Sequence, residues 1–513
     1  MTDRGRTTFA LAVLLAINTM NFFDRQILGA VGEMVRKDWA LTDTALGSLG
    51  TAFTLLYAAV GLPLGRLTDK TKRTHILGAG VFLWTLLTVA SGLAQNFRQL
   101  FIVRLGVGVG EATCAPASAS IIGDLFPATR RAKAISVFML GLPIGIALSY
   151  AVSGTVAFRF GWRSAFYVAG IPGLICAAVA LLLHEPKRGA TEAHNIGATR
   201  RKGPQSGWIF ATGIFVLALI ADLAIWGANV WRILLWVALA SSCIVFRVAI
   251  SRWMEPFLLV LSIPTMWWLI LSGALHNFNM YAIGSFLSPF LIRYHFAGTD
   301  LAAATRQAGF ISMFVNGLAG VPGLVLGGII GDAIMRRRAN GRLLVGAIAI
   351  LVSAPLHYFA LGCAAGNFFG FAVLMGIGVG FMYAYYSTVY STIQDVIEPS
   401  LRGSGMALYF FAMYVLGASL GPLGTGLASD YFTRKAAAAA GVVEFTRQAL
   451  EPFRAEGLHS AMYIIPALGV LLTIVLFAGS RTVARDIEKL HRWMKESASR
   501  EAEATSKVAA QRA

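Results

Sequence analysis

Four ionisable residues set in otherwise apolar stretches carry the chemistry of this sequence. Asp24 and Arg25 close a run that begins Asn18-Thr19-Met20-Asn21, and Arg104 and Glu111 flank the glycine-rich run Gly106-Val107-Gly108-Val109-Gly110. Arg104 and Glu111 are about two helical turns apart, which puts them on one helix face roughly 10 Å apart along its axis. Asn18, Asn21 and Asp24 recur at every third position and form a slowly drifting polar stripe on another helix. A low-dielectric setting favours the protonated form of a carboxyl group, and a nearby arginine favours the ionised form. Asp24, Arg25 and Glu111, with Arg104 nearby, can therefore take up and release a proton as the arginine approaches or withdraws. Arginine itself stays protonated throughout. A permanent salt bridge fixing the first helix against the fourth is the alternative reading of the same four residues.

The elements that hold these groups are membrane helices. Of the 513 residues, 57% are hydrophobic and only 13% charged, about half the charged share of a soluble domain, and the mean hydropathy is +0.67. A spanning helix needs about 20 mostly apolar residues. Six such segments come first, near 9–30, 44–65, 75–95, 99–123, 133–157 and 164–183, and six come last, near 265–292, 307–331, 343–362, 367–393, 403–428 and 460–479. Between them, Trp208 to Ile250 is an apolar block broken near Gly227-Ala228-Asn229, which predicts a hairpin of two further helices. The expectation is an all-α membrane protein of fourteen transmembrane helices. It divides into an N-terminal six-helix half (1–183), a basic linker (184–207), the hairpin (208–250), a C-terminal six-helix half (251–480) and a tail (481–513).

The net charge of +18 is unevenly placed. With both termini cytoplasmic, that side carries more than twice as many Lys and Arg as the other, in keeping with the positive-inside rule. An odd number of crossings in the insert would move Arg336, Arg337, Arg338 and the basic tail outside, so an even number is expected. The polar first residues are too short for a signal peptide. These features predict a multi-pass protein of the cell (inner) membrane.

The two halves echo each other. Gly65 to Asp69 followed by Lys72 and Arg73 recurs as Gly328 to Asp332 followed by Arg336, Arg337 and Arg338. Gly106, Gly108 and Gly110 recur as Gly376, Gly378 and Gly380, and Asp124 with Arg131 recurs as Asp395 with Arg402. The offsets are 263, 270 and 271 residues. Duplicated six-helix halves predict a secondary transporter whose substrate site lies between them near the bilayer midplane.

The Gly65–Asp69 segment with its basic cluster resembles the signature of major facilitator transporters between helices 2 and 3. More specifically, the chain resembles the spinster branch of that superfamily. The matching stretches are Asn18 to Arg25, Arg104 to Ala112, Gly161-Trp162-Arg163, Gly170 to Gly173, and Gln394-Asp395 through Leu401-Arg402-Gly403. The resemblance spans nearly all of both halves. It implies a major facilitator fold, proton coupling at Asp24, Arg25, Glu111 and Arg104, no cofactor, and a lipid-like substrate, since spinster relatives handle lysophospholipids and sphingoid phosphates. The chain departs from the family in its extra hairpin and in Lys72, which stands where glycine is usual. An organic-anion/proton symporter or a drug exporter of the same superfamily is the alternative.

Gly65, Asp69, Lys72 and Arg73, with the counterparts Asp124, Arg131, Asp332, Arg336, Asp395 and Arg402, are expected to pair across the interface and gate it, or simply to set topology. In helix 7 a cluster of His276, Asn277, Asn279 and Tyr281, and in helix 10 Tyr386 and Tyr390 four apart on one face, offer apolar bodies with polar tips suited to an amphiphile. With Asn18 and Asn21 they form the expected substrate cavity; packing and an interfacial aromatic belt are the alternatives.

Other functions find little purchase. The glycines at 106–110 lie mid-span, where small residues permit close helix packing, so a phosphate loop is not expected. An embedded enzyme needs a nucleophile–base set or a metal cluster, and the eight histidines form no HxxxH pair. The four cysteines suggest neither a disulfide framework nor a metal site, and the basic charge is read as topology and not as a nucleic-acid surface. The expected partners are the amphiphilic substrate, protons and membrane lipids, with a monomer favoured. Ala436 to Gly457 reads as a short amphipathic surface helix, and the tail as a cytoplasmic helix that frays.

Overall fold

A computed structural model describes residues 3–126, 128–186, 256–398 and 401–512. The hairpin at 208–250 and most of the linker lie outside the described residues, as do the side chains of Gly65, Asp69 and Arg131. The N-terminal half is built of α1 (Asp3–Asp38), α2 (Asp43–Lys70), α3 (Arg73–Leu93), α4 (Phe97–Glu111), α5 (Cys114–Leu125), α6 (Ala128–Met139), α7 (Gly141–Phe160) and α8 (Arg163–Leu182). The C-terminal half comprises α9 (Pro264–Phe290), α10 (Leu301–Ser312), α11 (Gly320–Met335), α12 (Gly341–Leu361), α13 (Phe368–Val396), α14 (Arg402–Met413), α15 (Leu420–Ala439), α16 (Arg454–Met462) and α17 (Ile464–Arg512). Paired segments such as α4–α5 and α6–α7 make one crossing each. Three crossings or their ends contain π-helical turns, at Leu291–His295, Met313–Leu318 and Tyr414–Ala418, all in the C-terminal half.

Eleven of these crossings are long and apolar enough to span a membrane. The helix α9 is not among them, because His276, Asn277 and Asn279 dilute its apolar character, yet all three are buried in the protein. A polar helix is tolerated at membrane depth when protein, not lipid, surrounds it. We call the end of the bundle where α1 begins and α17 finishes basal, and the opposite end distal.

The buried apolar side chains form two clusters. One belongs to the N-terminal half alone and includes Val13, Leu14 and Ile17 of α1 with Leu77, Trp84 and Ile121. The other runs through both halves, joining Phe23, Ile27 and Val31 of α1 to Ile283, Phe286 and Phe290 of α9. Helix α1 thus passes from one core to the other between Ile17 and Met20. In the distal portion the backbones touch. A Cβ on Gly29 would collide with the Gly284 carbonyl oxygen, and one on Gly47 with that of Pro422, so glycine is required for this approach.

Candidate functional site

The structure brings side chains of α1 and α4 together. Gly108 lets the Phe53 carbonyl of α2 lie against α4, and Gly110 does the same for Trp84 of α3. Helix α4 then ends at Glu111, with the Thr113 hydroxyl donating to the Gly110 carbonyl at 2.8 Å. Glu111 is fully buried, and its Oε2 accepts from Arg25 Nε at 2.6 Å. Asn21 lies beside it. Asp24 Oδ2 accepts from the Thr88 hydroxyl at 3.4 Å, while Arg104 Nη1 donates to the Asp24 backbone carbonyl at 3.3 Å. Asp24 Oδ1 and Glu111 Oε1 have no hydrogen-bond partner, nor has Arg104 Nε. The Arg25 guanidinium stands 4.4 Å from the Tyr57 ring centroid and 5.3 Å from that of Phe53, and Arg104 stands 5.2 Å from the same Phe53 ring. One aromatic ring therefore serves two cations, a favourable contact at a desolvated site.

A cavity between the halves opens onto this cluster. Arg25, Gln26, Phe53 and Arg104 bound it on one side, and Tyr281 and Ser285 on the other. Among the groups expected to line the substrate space, Asn18 donates to the Phe138 carbonyl (2.8 Å), Asn277 to that of Gly273 (3.0 Å) and Asn279 to that of Ile465 (3.1 Å). Asn18 and Asn279 are thereby occupied in holding helices together, while Asn277 bonds within α9. His276 stacks on Tyr385 with 3.9 Å between centroids and meets Tyr386 edge-on at 4.8 Å; neither of its ring nitrogens has a partner. Tyr386 and Tyr390 pack edge-on at 5.6 Å, and Tyr390 continues to Tyr409 at the same spacing.

At the basal end, Arg73 at the start of α3 binds Asp124 and also Glu185, the latter at 2.7 Å, and Arg342 at the start of α12 binds Asp395 at 2.5 Å and Asp332 at 2.8 Å. The two clusters are copies of one design, and each lies within its own half. Arg342 was not singled out in the sequence, although it stands 269 residues after Arg73, in line with the other repeat offsets. Arg402 Nε donates to the Gln394 carbonyl. Lys72 and Arg336 to Arg338 lie at the helix ends beside these pairs. Burial pushes the Glu185 carboxyl up, but the Thr74 amide and Arg73 together outweigh it and hold the group below the usual glutamate range.

The distal end carries a third ionic assembly, and it joins the halves. Arg293, at the end of the α9 crossing, donates to Glu33 (2.6 Å) and to both oxygens of Asp43 (2.8 Å each). Arg36 binds Glu33 within its half and Glu451 across the interface at 2.5 Å. Asp43 also accepts from Ser429, and Asp430 binds Arg454 at 3.3 Å. Glu33, Arg36, Asp43 and Arg454 are all buried. The expected amphipathic surface helix over 436–457 is corrected here. Only Arg447–Leu450 is a separate short helix, and Arg454 turns inward toward Asp43 while Glu451, still exposed, reaches across to Arg36, because the other half offers each a partner of opposite charge.

Two pseudo-equivalent bundles of helices, a cavity between them and titratable groups at its edge are the architecture of a membrane transporter, and the chain belongs to the Major Facilitator Superfamily, whose family model matches residues 14–422. Within it the chain is spinster-like. Protein spinster homolog 1 of Mus musculus is 27% identical over 438 residues, covering 84% of this chain and 75% of that protein. A probable L-galactonate transporter of Escherichia coli is 32% identical over 170 residues, 33% of this chain and 38% of its own. Among solved structures, a bacterial homologue of the human lysosomal transporter spinster, inward-facing and unoccupied, superposes with a TM-score of 0.71 at 23% identity, covering 94% of this chain and 98% of that one. The chain is a multi-pass membrane transporter and not an enzyme.

Proposed function

We propose that this transporter is proton-coupled and moves an amphiphilic organic substrate, a lysophospholipid or sphingoid-like lipid, by alternating access. The observation that carries the proton half of this reading is the pair of buried carboxyls, Asp24 and Glu111, each with one oxygen available to a proton beside the inter-half cavity. A group that expensive to bury in charged form is suited to binding a proton in one state and losing it in another. The lipid half rests on the likeness to spinster proteins and on the tyrosine row, whose rings offer apolar surface with a polar edge. The basal assemblies of Arg73–Asp124 and Arg342–Asp395 act in gating, and Gly65, Asp69, Lys72, Arg131, Arg336 and Arg402 belong to the same machinery.

The test is transport in liposomes. Lysophospholipid flux should follow an imposed pH gradient in the wild type. Glu111→Gln and Asp24→Asn should lose gradient-driven flux while keeping substrate exchange. Flux indifferent to both the gradient and the substitutions would reduce the cluster to a structural bridge.

A second reading is an organic-anion symporter. It is favoured by one observation, that both Arg25 and Arg104 border the cavity, and flux of a small carboxylate in place of lysolipid would select it. The segment 208–250 we assign to a two-helix hairpin, giving fourteen crossings, both termini cytoplasmic and residence in the inner membrane. Thiol labelling of single cysteines placed in the linker and in the tail, expected from the cytoplasmic side only, tests that topology.

A further inference from the structure

Arg25 is shared between the two halves. Its Nε donates to Glu111 at 2.6 Å within the N-terminal half, while its Nη1 donates to the Tyr414 hydroxyl at 3.2 Å in the C-terminal half. Tyr414 opens the π-helical turn Tyr414–Ala418, a departure from α-helical geometry of the kind often found at functional positions. Its ring packs on Tyr57 of α2 at 4.9 Å and on Tyr281 of α9 at 6.2 Å. The titratable and charged groups facing Arg25 and Glu111 are Asp24 of α1, Tyr57 of α2, Arg104 of α4, Cys114 of α5, Tyr281 of α9 and Tyr414. Tyr281 and Tyr414 alone in this set travel with the other half.

We propose that the Tyr414 hydroxyl is the contact through which the C-terminal half sets how firmly Arg25 holds Glu111, an inference that rests on the proton-coupling reading above. Arg25 and Glu111 sit on helices of one half, so rocking leaves their bond in place. Tyr414 does not move with them. With the halves joined as here, the guanidinium divides its donors between a carboxylate and a neutral hydroxyl. When Tyr414 withdraws, the guanidinium turns wholly to Glu111, the ionised carboxylate gains a stronger partner, and the proton leaves. Linkage makes the effect reciprocal, so a proton on Glu111 favours the arrangement in which Tyr414 is engaged. Tyr414 is thereby a positioning residue and does not itself carry the proton.

Infrared difference spectroscopy of the full chain in lipid nanodiscs tests this without a transported substrate. The protonated-carboxyl band is titrated with pH in the wild type, and its loss in Glu111→Gln assigns it. Tyr414→Phe keeps the ring and its contact with Tyr57 but deletes the hydroxyl. Its Glu111 band should titrate at lower pH than in the wild type by about one unit, the low end of what a neighbouring charge imposes, with an unchanged thermal unfolding midpoint. Coincident titrations, or a shift to higher pH, would overturn the role given to Tyr414 and leave proton coupling intact. A wild type with no Glu111-dependent band at any pH would overturn the coupling reading, and this inference with it.

Discussion

Asp430, in the C-terminal half, caps the first turn of a helix in the N-terminal half, its Oδ2 accepting from the Thr44 amide at 2.9 Å and from the Thr44 hydroxyl at 2.6 Å. An N-cap normally lies in the chain that forms the helix. Helix α2 has such a cap in Thr42, whose hydroxyl accepts from the Ala45 amide at 3.1 Å, and Asp430 adds a second from across a moving interface, so the distal end cannot part without baring the Asp43 and Thr44 amides.

Replacing Asp430 with Ala should therefore weaken the joined state. Thr42 still caps the helix, so losing the Asp430 bonds to Asp43 and Thr44 costs about 1 kcal/mol, and the Arg454 contact at 3.3 Å goes with it. The expected outcome is a lower thermal midpoint in detergent and faster thiol labelling of Gln26→Cys, which reports opening of the cavity. Unchanged labelling would mean that the cap is decorative.

Arg293 is the sole guanidinium described as contacting both Glu33 and Asp43, and both carboxylates are fully buried. Arg293→Met leaves Glu33 to Arg36 alone and Asp43 to the Ser429 hydroxyl and an Arg454 guanidinium 3.9 Å away, too little for two buried carboxylates, and breaking a buried pair from one side costs about 3–5 kcal/mol. A severe loss of folded protein is expected by size-exclusion analysis. The triple change Arg293→Met, Glu33→Gln, Asp43→Asn removes the stranded charges and should restore much of the folded yield.

Glu185 gives a pH dependence with a definite sign. Its carboxyl is held below the usual glutamate range by Thr74 and Arg73 against the opposing effect of burial, so its contribution to stability is present above the ordinary glutamate value, about 4.3, and is lost as pH falls through the depressed folded value. Thermal midpoints of the wild type and Glu185→Gln should differ at neutral pH and converge in acid. A constant gap at every pH would show that the pair contributes nothing through charge.

Arg342→Gln should release Asp332 and Asp395 together, since the one guanidinium serves both. The matching substitution Arg73→Gln takes the guanidinium from both Asp124 and Glu185. If these assemblies gate the basal end, each variant should alter exchange rates in liposomes several-fold while leaving the distal labelling of the preceding paragraphs unchanged.

The sequence was most informative where a charge interrupts an apolar run. Asp24, Arg25, Arg104 and Glu111 stand out against hydrocarbon because no water is there to solvate them, and the structure brings all four together. The repeat was legible for the same reason that it exists, since each half solves the same packing problem with the same glycines and charges. Glu33, Arg36, Asp43, Arg293, Asp430 and Arg454 were invisible as a set. Each lies at or near the end of a span, where a charge looks like any loop charge, and no pattern within a helix tells which ends will meet. Arg454 was further hidden in a segment whose mixed charges mimic a surface helix. The asparagines were legible as polar groups in apolar runs but not in their partners, because an amide buried at membrane depth serves a neighbouring carbonyl as readily as it serves a ligand.

The passage of α1 from one apolar core to another has a mechanical meaning. Its first turns are clamped to the N-terminal half, and its later turns are embedded in the body common to both. Asn18 lies at the passage, and Asn21, Asp24 and Arg25 follow on the first turns beyond it, close to the fulcrum of any rocking motion. Displacements are smallest at a fulcrum, so the ionisable cluster itself stays almost still while what swings past it changes. A transporter built this way reads its own posture from the neighbours that its stationary charges acquire and lose.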